Sequence, residues 1–171
     1  LVYSSLDIVG VQVCAATKNV IAIAFGLLDA LIEGSDFFGD NTESLLLAAG
    51  LNEIQIIGRA MGATHPETFT SISGIGDLDV TCRSKYGRNR KFGREIITAN
   101  ILHTFTGIDD LMAHIGTIGY LPEGIAACYY LSKIAVKYDL KLPLCSGLYR
   151  MLNKELGYTE FLEDLLSGTK N

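Results

Sequence analysis

Apolar positions in this chain recur every three to four residues, and beyond Val11–Val13 little alternates with a period of two. Val9–Ile32 reads as a long, mostly buried helix that Asp7 can start. Its small residues, among them Gly10, Ala15, Ala22 and Gly26, let neighbouring elements approach closely. Leu1–Ser5 before it has the alternation of a short strand. Glu33–Asp40 reads as a loop with Gly34 and Gly39 as breakers. Asn41 or Thr42 then caps a second helix to about Met61. It carries Leu47, Leu51, Ile54, Gly58 and Met61 on one face, with Gly62 as its stop.

Thr64–Glu67 has capping-box spacing with Pro66 in the first turn, which predicts a short helix into Ser71. Gly74 and Gly76 then break the chain. Helices are predicted over Arg88–Ala99, from a Thr106–Asp109 cap to about Ile115, and over Pro122–Tyr138, Leu144–Asn153 and Thr159–Leu166. No repeat, low-complexity tract or linker interrupts them. The pattern predicts one all-α domain over 1–171, with at most a strand remnant at its start.

Composition narrows the class. A chain of 171 residues suits one domain that buries about 70% of its unfolded surface. Ile8–Leu28 is long enough to span a bilayer, and its only formal charge is Lys18. A lysine at the midpoint costs about 3 kcal/mol on insertion, so a buried helix without stable membrane insertion is expected. Cys14, Cys82, Cys128 and Cys145 lie far apart without ligand spacing. That predicts neither a disulfide framework nor a metal site, and suits a reducing cytoplasm. No signal-peptide pattern opens the chain, and Leu1 reads as a fragment boundary.

Charge adds a local feature. Between Arg83 and Arg94 lie six of the fourteen basic residues, with no acidic residue among them, in a chain of net charge −5. Such an island suits a small anion better than a nucleic acid, which is not expected as a partner.

Three groups are chemical candidates. Lys18 lies in an apolar helix, where loss of hydration tunes a lysine toward proton exchange near neutral pH. The plainer reading is a lysine that snorkels to the surface or pairs with a structural carboxylate. Asn19 beside it is a weaker candidate. Asp77 follows Gly74-Ile-Gly76 and either reaches a ligand or caps a helix. Arg88-Asn89-Arg90-Lys91 follows Gly87 at a predicted helix start, where free N–H groups and a guanidinium make a phosphate site. A solvated basic surface is the equal alternative. Gly74-Ile-Gly76 is no dinucleotide fingerprint, so any nucleotide is expected to be held mainly by another domain.

Four blocks carry a resemblance: KNVIAI at Lys18–Ile23, SGIGDLDVTC at Ser73–Cys82, GRNRKFG at Gly87–Gly93 and PEGI at Pro122–Ile125. In this order they resemble the NAD(P)-dependent glycerol-3-phosphate dehydrogenases, specifically the helical substrate domain that follows their Rossmann domain. The resemblance covers nearly the whole chain. It implies a fold like the 6-phosphogluconate dehydrogenase C-terminal domain, with the N-terminal dinucleotide-binding domain absent from this chain. The activity implied is reversible reduction of dihydroxyacetone phosphate to sn-glycerol 3-phosphate with NAD or NADP, serving glycerol phosphate and phospholipid metabolism.

Carried over by position, Lys18 looks like the catalytic acid/base. Lys18, Asn19, Asp77, Gly87, Arg88 and Asn89 match substrate-contacting positions, and Arg88, Leu121 and Glu123 match positions near the cofactor. The implied partners are a phosphorylated small molecule and the Rossmann domain; a homodimer is left open by the sequence. Some residues depart from the family pattern. Gly87 stands where the family usually has serine, Leu121-Pro122 replaces two small apolar residues, Cys14-Ala15-Ala16-Thr17 replaces a glycine-richer run, and the Glu33–Gly39 loop is longer. The rival readings are a related reductase of another 2-oxo acid and a non-enzymatic helical module that binds an anion or partner.

Overall fold

A computed structural model describes residues 4–33 and 39–167. The described residues form helices and turns and contain no strand. Of the expected N-terminal strand, Leu1–Tyr3 lie outside the described residues, and Ser4 and Ser5 are exposed non-helical chain.

Helix α1, Ile8–Ile32, is the axis. Asp7 caps it by accepting from the Gly10 amide, and also accepts from Thr64 N and His65 N, which ties the helix start to the 64–65 turn. Val20 through Leu28 are all buried, so this stretch of α1 has no polar face. α1 is long and apolar enough to cross a membrane, and here those apolar residues are covered by other helices. Helix α2, Asp40–Met61, packs along it.

Close approach is built into α1 by missing Cβ atoms. Helix α5, Arg88–Thr98, lies so near that a Cβ on Gly26 would sit 1.9 Å from Arg90 O. One on Gly93 would sit 1.9 Å from Ile23 O. Helix α7, Gly124–Tyr138, begins against α1 in the same way, with a Cβ on Gly124 falling 2.5 Å from Asn19 O. Three helices thus meet backbone to backbone, which fixes their relative height more tightly than side-chain packing would.

Several local expectations are corrected. α2 starts at Asp40 with Gly39 as its N-cap, and Thr42 lies inside the first turn, where its hydroxyl accepts from the Gly39 amide. The buried stripe of α2 runs through Leu46, Gly50, Glu53, Ile54, Ile57 and Gly58. Leu47 and Leu51 are half-buried and Met61 is exposed, because the tighter contacts are made through Gly50 on Ile21 and Gly58 on Phe69. Gly62 ends α2 as expected, with φ +97°.

No capping box forms at Thr64–Glu67, since the amides of Thr64 and His65 go to Asp7 instead. The short helix α3 spans Glu67–Thr70. Gly74 and Gly76 do not break the chain. A π-turn, Ile72–Gly76, winds directly into α4, Asp77–Arg83. Gly74 is required there because a Cβ would lie 2.1 Å from Phe69 O. Helix α6, Ile108–Ala113, is preceded by Thr106, which donates from its amide and hydroxyl to Asp110 rather than pairing with Asp109.

Helices α8, Pro143–Leu152, and α9, Tyr158–Leu166, close the chain near their expected positions. Glu53 of α2, buried, accepts from Leu144 N at 2.5 Å and Cys145 N at 2.9 Å, capping α8 from another helix.

Candidate functional site

One stripe of α1, comprising Gln12, Ala15 and Ala16, is exposed. Lys18 and Asn19 sit where that stripe meets the wholly buried stretch Val20–Leu28. Lys18 Nζ lies 2.5 Å from Asp77 Oδ2, the first residue of α4, and the two side chains are 20% and 34% exposed. The enclosed ammonium expected from the apolar sequence is therefore a half-buried one with a carboxylate partner. The π-turn supplies that partner by delivering Asp77 to the side of α1. Asp79, two residues on, instead accepts from Arg83 at 2.7 Å.

The cationic island divides. Arg90 reaches back to α1 and grips Asp29 with two donors at 2.5 and 2.6 Å while also donating to Cys82 O. Arg94 grips Glu33 with two donors at 2.8 Å, and Arg83 lies 3.6 Å from Glu43. Lys91 lies 3.6 Å from Glu95 and over the Tyr120 ring. Arg83, Arg90 and Arg94 thus tie helices together, and the island does not act as one group.

Arg88 differs. It opens α5 with its side chain 55% exposed, 3.1 Å from Glu123 Oε1, itself 51% exposed. An exposed pair of this kind is weak and readily exchanged for another partner. The first intrahelical acceptor of α5, Gly87 O, takes the Lys91 amide, which leaves the N–H groups of Arg88, Asn89 and Arg90 without an acceptor inside the helix. Such amides, with the helix dipole and an exposed guanidinium beside them, are groups that can hold a phosphate-sized anion. Gly87 is extended, and a Cβ there would lie 3.3 Å from Ser84 O, so the space beside it is tight.

Asn89 is buried and bonded through both side-chain atoms. Its Nδ2 donates to Asn19 Oδ1 at 3.0 Å and its Oδ1 accepts from Gly124 N at 2.8 Å. Asn19 Nδ2 donates to Ala15 O at 3.1 Å. Leu121, 47% exposed, and Glu123 lie on the loop that leads into α7. Lys18, Asn19, Asp77, Arg88, Asn89 and Glu123 are thus linked in two sets, Lys18 with Asp77, and Asn19 with Asn89 beside the Arg88–Glu123 pair.

Cysteine chemistry has no place here. All four thiols are unpaired and buried, and burial pushes Cys14 up to about 11 and Cys82 to about 12, which keeps them protonated and inert.

Residues 7–163 match the family model for the NAD-dependent glycerol-3-phosphate dehydrogenase C-terminus. The chain belongs to this family. It is 73% identical over 168 residues to glycerol-3-phosphate dehydrogenase (NAD(P)+) of Treponema denticola, covering 98% of this chain and 47% of that protein. The Treponema pallidum enzyme of the same name is 64% identical over 165 residues, covering 96% and 46%. The chain therefore spans about half the length of the relatives it matches. A crystal structure of glycerol-3-phosphate dehydrogenase from Coxiella burnetii superposes with a TM-score of 0.77 at 29% identity, over 96% of this chain and 46% of that one. The Dunaliella salina structure, at 22% identity and TM-score 0.74, shares the fold. The family's C-terminal domain is all-α, as the described residues of this chain are.

Two features of the site have no local sequence signal. The Asn19–Asn89 bond spans seventy positions, and Thr17, next to Lys18, has a buried hydroxyl with no partner. Thr17 lines a mostly apolar cavity of about 360 Å³ between α1 and α7.

Proposed function

We propose that this chain is the substrate-binding and proton-transferring half of an NAD(P)-dependent glycerol-3-phosphate dehydrogenase, working with a dinucleotide-binding domain in the cytoplasm. The observation that carries the reading is the half-buried Lys18–Asp77 pair, with Asn19, the neighbour of Lys18, bonded to Asn89 in the first turn of α5. A proton donor and an anion cradle on adjoining helices suit a small phosphorylated ketone. Four buried, unpaired thiols fit a reducing compartment.

In this reading the three free amides of α5 and the Arg88 guanidinium take the phosphate of dihydroxyacetone phosphate. The ketone oxygen then lies toward Lys18. The nicotinamide, when bound, supplies the hydride to C2. Lys18 Nζ gives its proton to the C2 oxygen as that carbon is reduced, and in the reverse direction takes it back from the hydroxyl. Asp77 holds the ammonium in place before and after transfer. Arg88, Glu123 and exposed Leu121 fit one edge of a dinucleotide; the chain offers no glycine-rich phosphate cradle, so the rest must be held elsewhere.

The test is oxidation of NADH and NADPH with dihydroxyacetone phosphate by the chain joined to its dinucleotide-binding half. Turnover with this substrate supports the reading. Faster turnover of a 2-oxo acid without phosphate favours the rival reductase and removes the role of the α5 amides.

A further inference from the structure

Asn89 carries an inference that deepens this reading and rests on it for its functional half. Four groups form a directed chain: Gly124 N–H donates to Asn89 Oδ1, Asn89 Nδ2 to Asn19 Oδ1, and Asn19 Nδ2 to Ala15 O. Both ends are backbone groups with fixed polarity, an amide that only donates and a carbonyl that only accepts. Neither asparagine can flip without breaking the sequence of bonds. The chain crosses three helices, α7, α5 and α1, where α7 and α1 already touch through Gly124.

Each linking residue is also the sequence neighbour of a candidate functional side chain: Gly124 follows Glu123, Asn89 follows Arg88, and Asn19 follows Lys18. We propose that Asn89 and Asn19 form a positioning relay, which sets the height of the proton donor on α1 against the phosphate amides on α5 and the loop end at α7. Asn89 then meets substrate through its backbone N–H, while the bonds of its side chain serve register. The two asparagines are positioning residues, acting through Lys18 and Arg88.

A direct side-chain contact to phosphate and a relay predict different results. If the relay holds, Asn89→Ala and Asn19→Ala each lower kcat/KM for dihydroxyacetone phosphate by about tenfold or more, mostly in kcat. The double variant is no worse than the stronger single one, because both remove the same device. Inorganic phosphate, tested as a competitor, keeps its inhibition constant within about threefold. If Asn89 grips phosphate directly, its variant raises KM and weakens inorganic phosphate by about tenfold, and the losses multiply in the double variant. Those outcomes overturn the relay.

A second readout needs no turnover. The Gly124 amide sits in the first turn of α7, so its protection from hydrogen exchange depends on Asn89 Oδ1. By NMR in the joined protein, that amide is expected to exchange at least about tenfold slower than a free one. Asn19→Ala, at a half-buried site, is expected to accelerate it while Leu131 and Ile134 stay unchanged. A Gly124 amide that exchanges at the free rate in the unsubstituted protein overturns the relay, whatever the kinetics show. Absence of turnover with this amide protected overturns the proposed reaction and leaves the relay standing.

Discussion

Lys18 and Asp77 lie fifty-nine positions apart in sequence and 2.5 Å apart in space, joined by the π-turn that carries Asp77 to the flank of α1. A carboxylate so placed restricts the ammonium to one direction. Removing its charge while keeping its shape should misalign the donor without disturbing the fold, since Asp77 is one-third exposed. Asp77→Asn is expected to lower kcat by about 10- to 100-fold with the melting temperature within a few degrees of the parent. Steady-state kinetics beside thermal unfolding check this, and an unchanged kcat would remove the orienting role.

Two arginines two residues apart should behave oppositely. Arg88 is exposed and weakly paired, so Arg88→Ala is expected to raise KM for dihydroxyacetone phosphate by about 10- to 100-fold and leave stability within about 1 kcal/mol. Arg90 is mostly buried against Asp29, and Arg90→Ala strands that carboxylate at a cost of about 3 kcal/mol. Urea unfolding with kinetics on both variants separates a ligand contact from a structural one. Equal destabilisation by the two would contradict the division of the basic island.

The backbone contact between α1 and α5 makes Gly26 and Gly93 intolerant of any side chain. A Cβ at either falls 1.9 Å from a carbonyl oxygen that cannot swing away. Gly93→Ala is expected to destabilise by about 3 kcal/mol, at the upper end of overpacking costs, despite alanine's better helix propensity. An increase in the urea midpoint would show that α1 and α5 are not this close.

Glu53 gives a pH dependence with a definite sign. Burial pushes its carboxyl above the ordinary value of 4.5, and the Cys145 and Leu144 amides pull it part of the way back. The folded chain therefore holds this proton more tightly than the unfolded one does. The stability it contributes is full below about 4.5 and is lost as pH rises through the higher folded value. Glu53→Gln, which keeps an acceptor for one amide and has no charge, is expected to lack this decline. Urea midpoints measured from pH 4 upward on both proteins check it (a range set about the ordinary carboxylate value). Parallel profiles would contradict the assignment.

Much of this was legible in the sequence where the signal is local. The apolar run of α1, the Pro122–Glu123 start of α7 and the Gly62 stop follow from periodicity and capping chemistry alone. The four sequence blocks pointed to the family before any coordinates. What failed was non-local. Asp7 takes the Thr64 and His65 amides across fifty-seven positions and more, which abolishes the capping box that THPE spells. Gly74 looks like a breaker, yet it serves a tight turn against Phe69 O that only the fold reveals. The division of the basic island was not legible because its acidic partners, Asp29, Glu33 and Glu43, are distant in sequence. Nothing local says that the side chain of Asn89 bonds Asn19 and Gly124.

The most direct measurement is the rate of NADH and NADPH oxidation with dihydroxyacetone phosphate by the chain joined to its dinucleotide-binding half, with and without Lys18→Met. Methionine keeps the apolar stem and removes the proton. If Lys18 is the acid/base, kcat falls by about 10²- to 10⁴-fold while thermal stability and inhibition by inorganic phosphate stay near the parent. Turnover that survives the substitution at the parent rate would contradict the account, and would require the proton to come from another group.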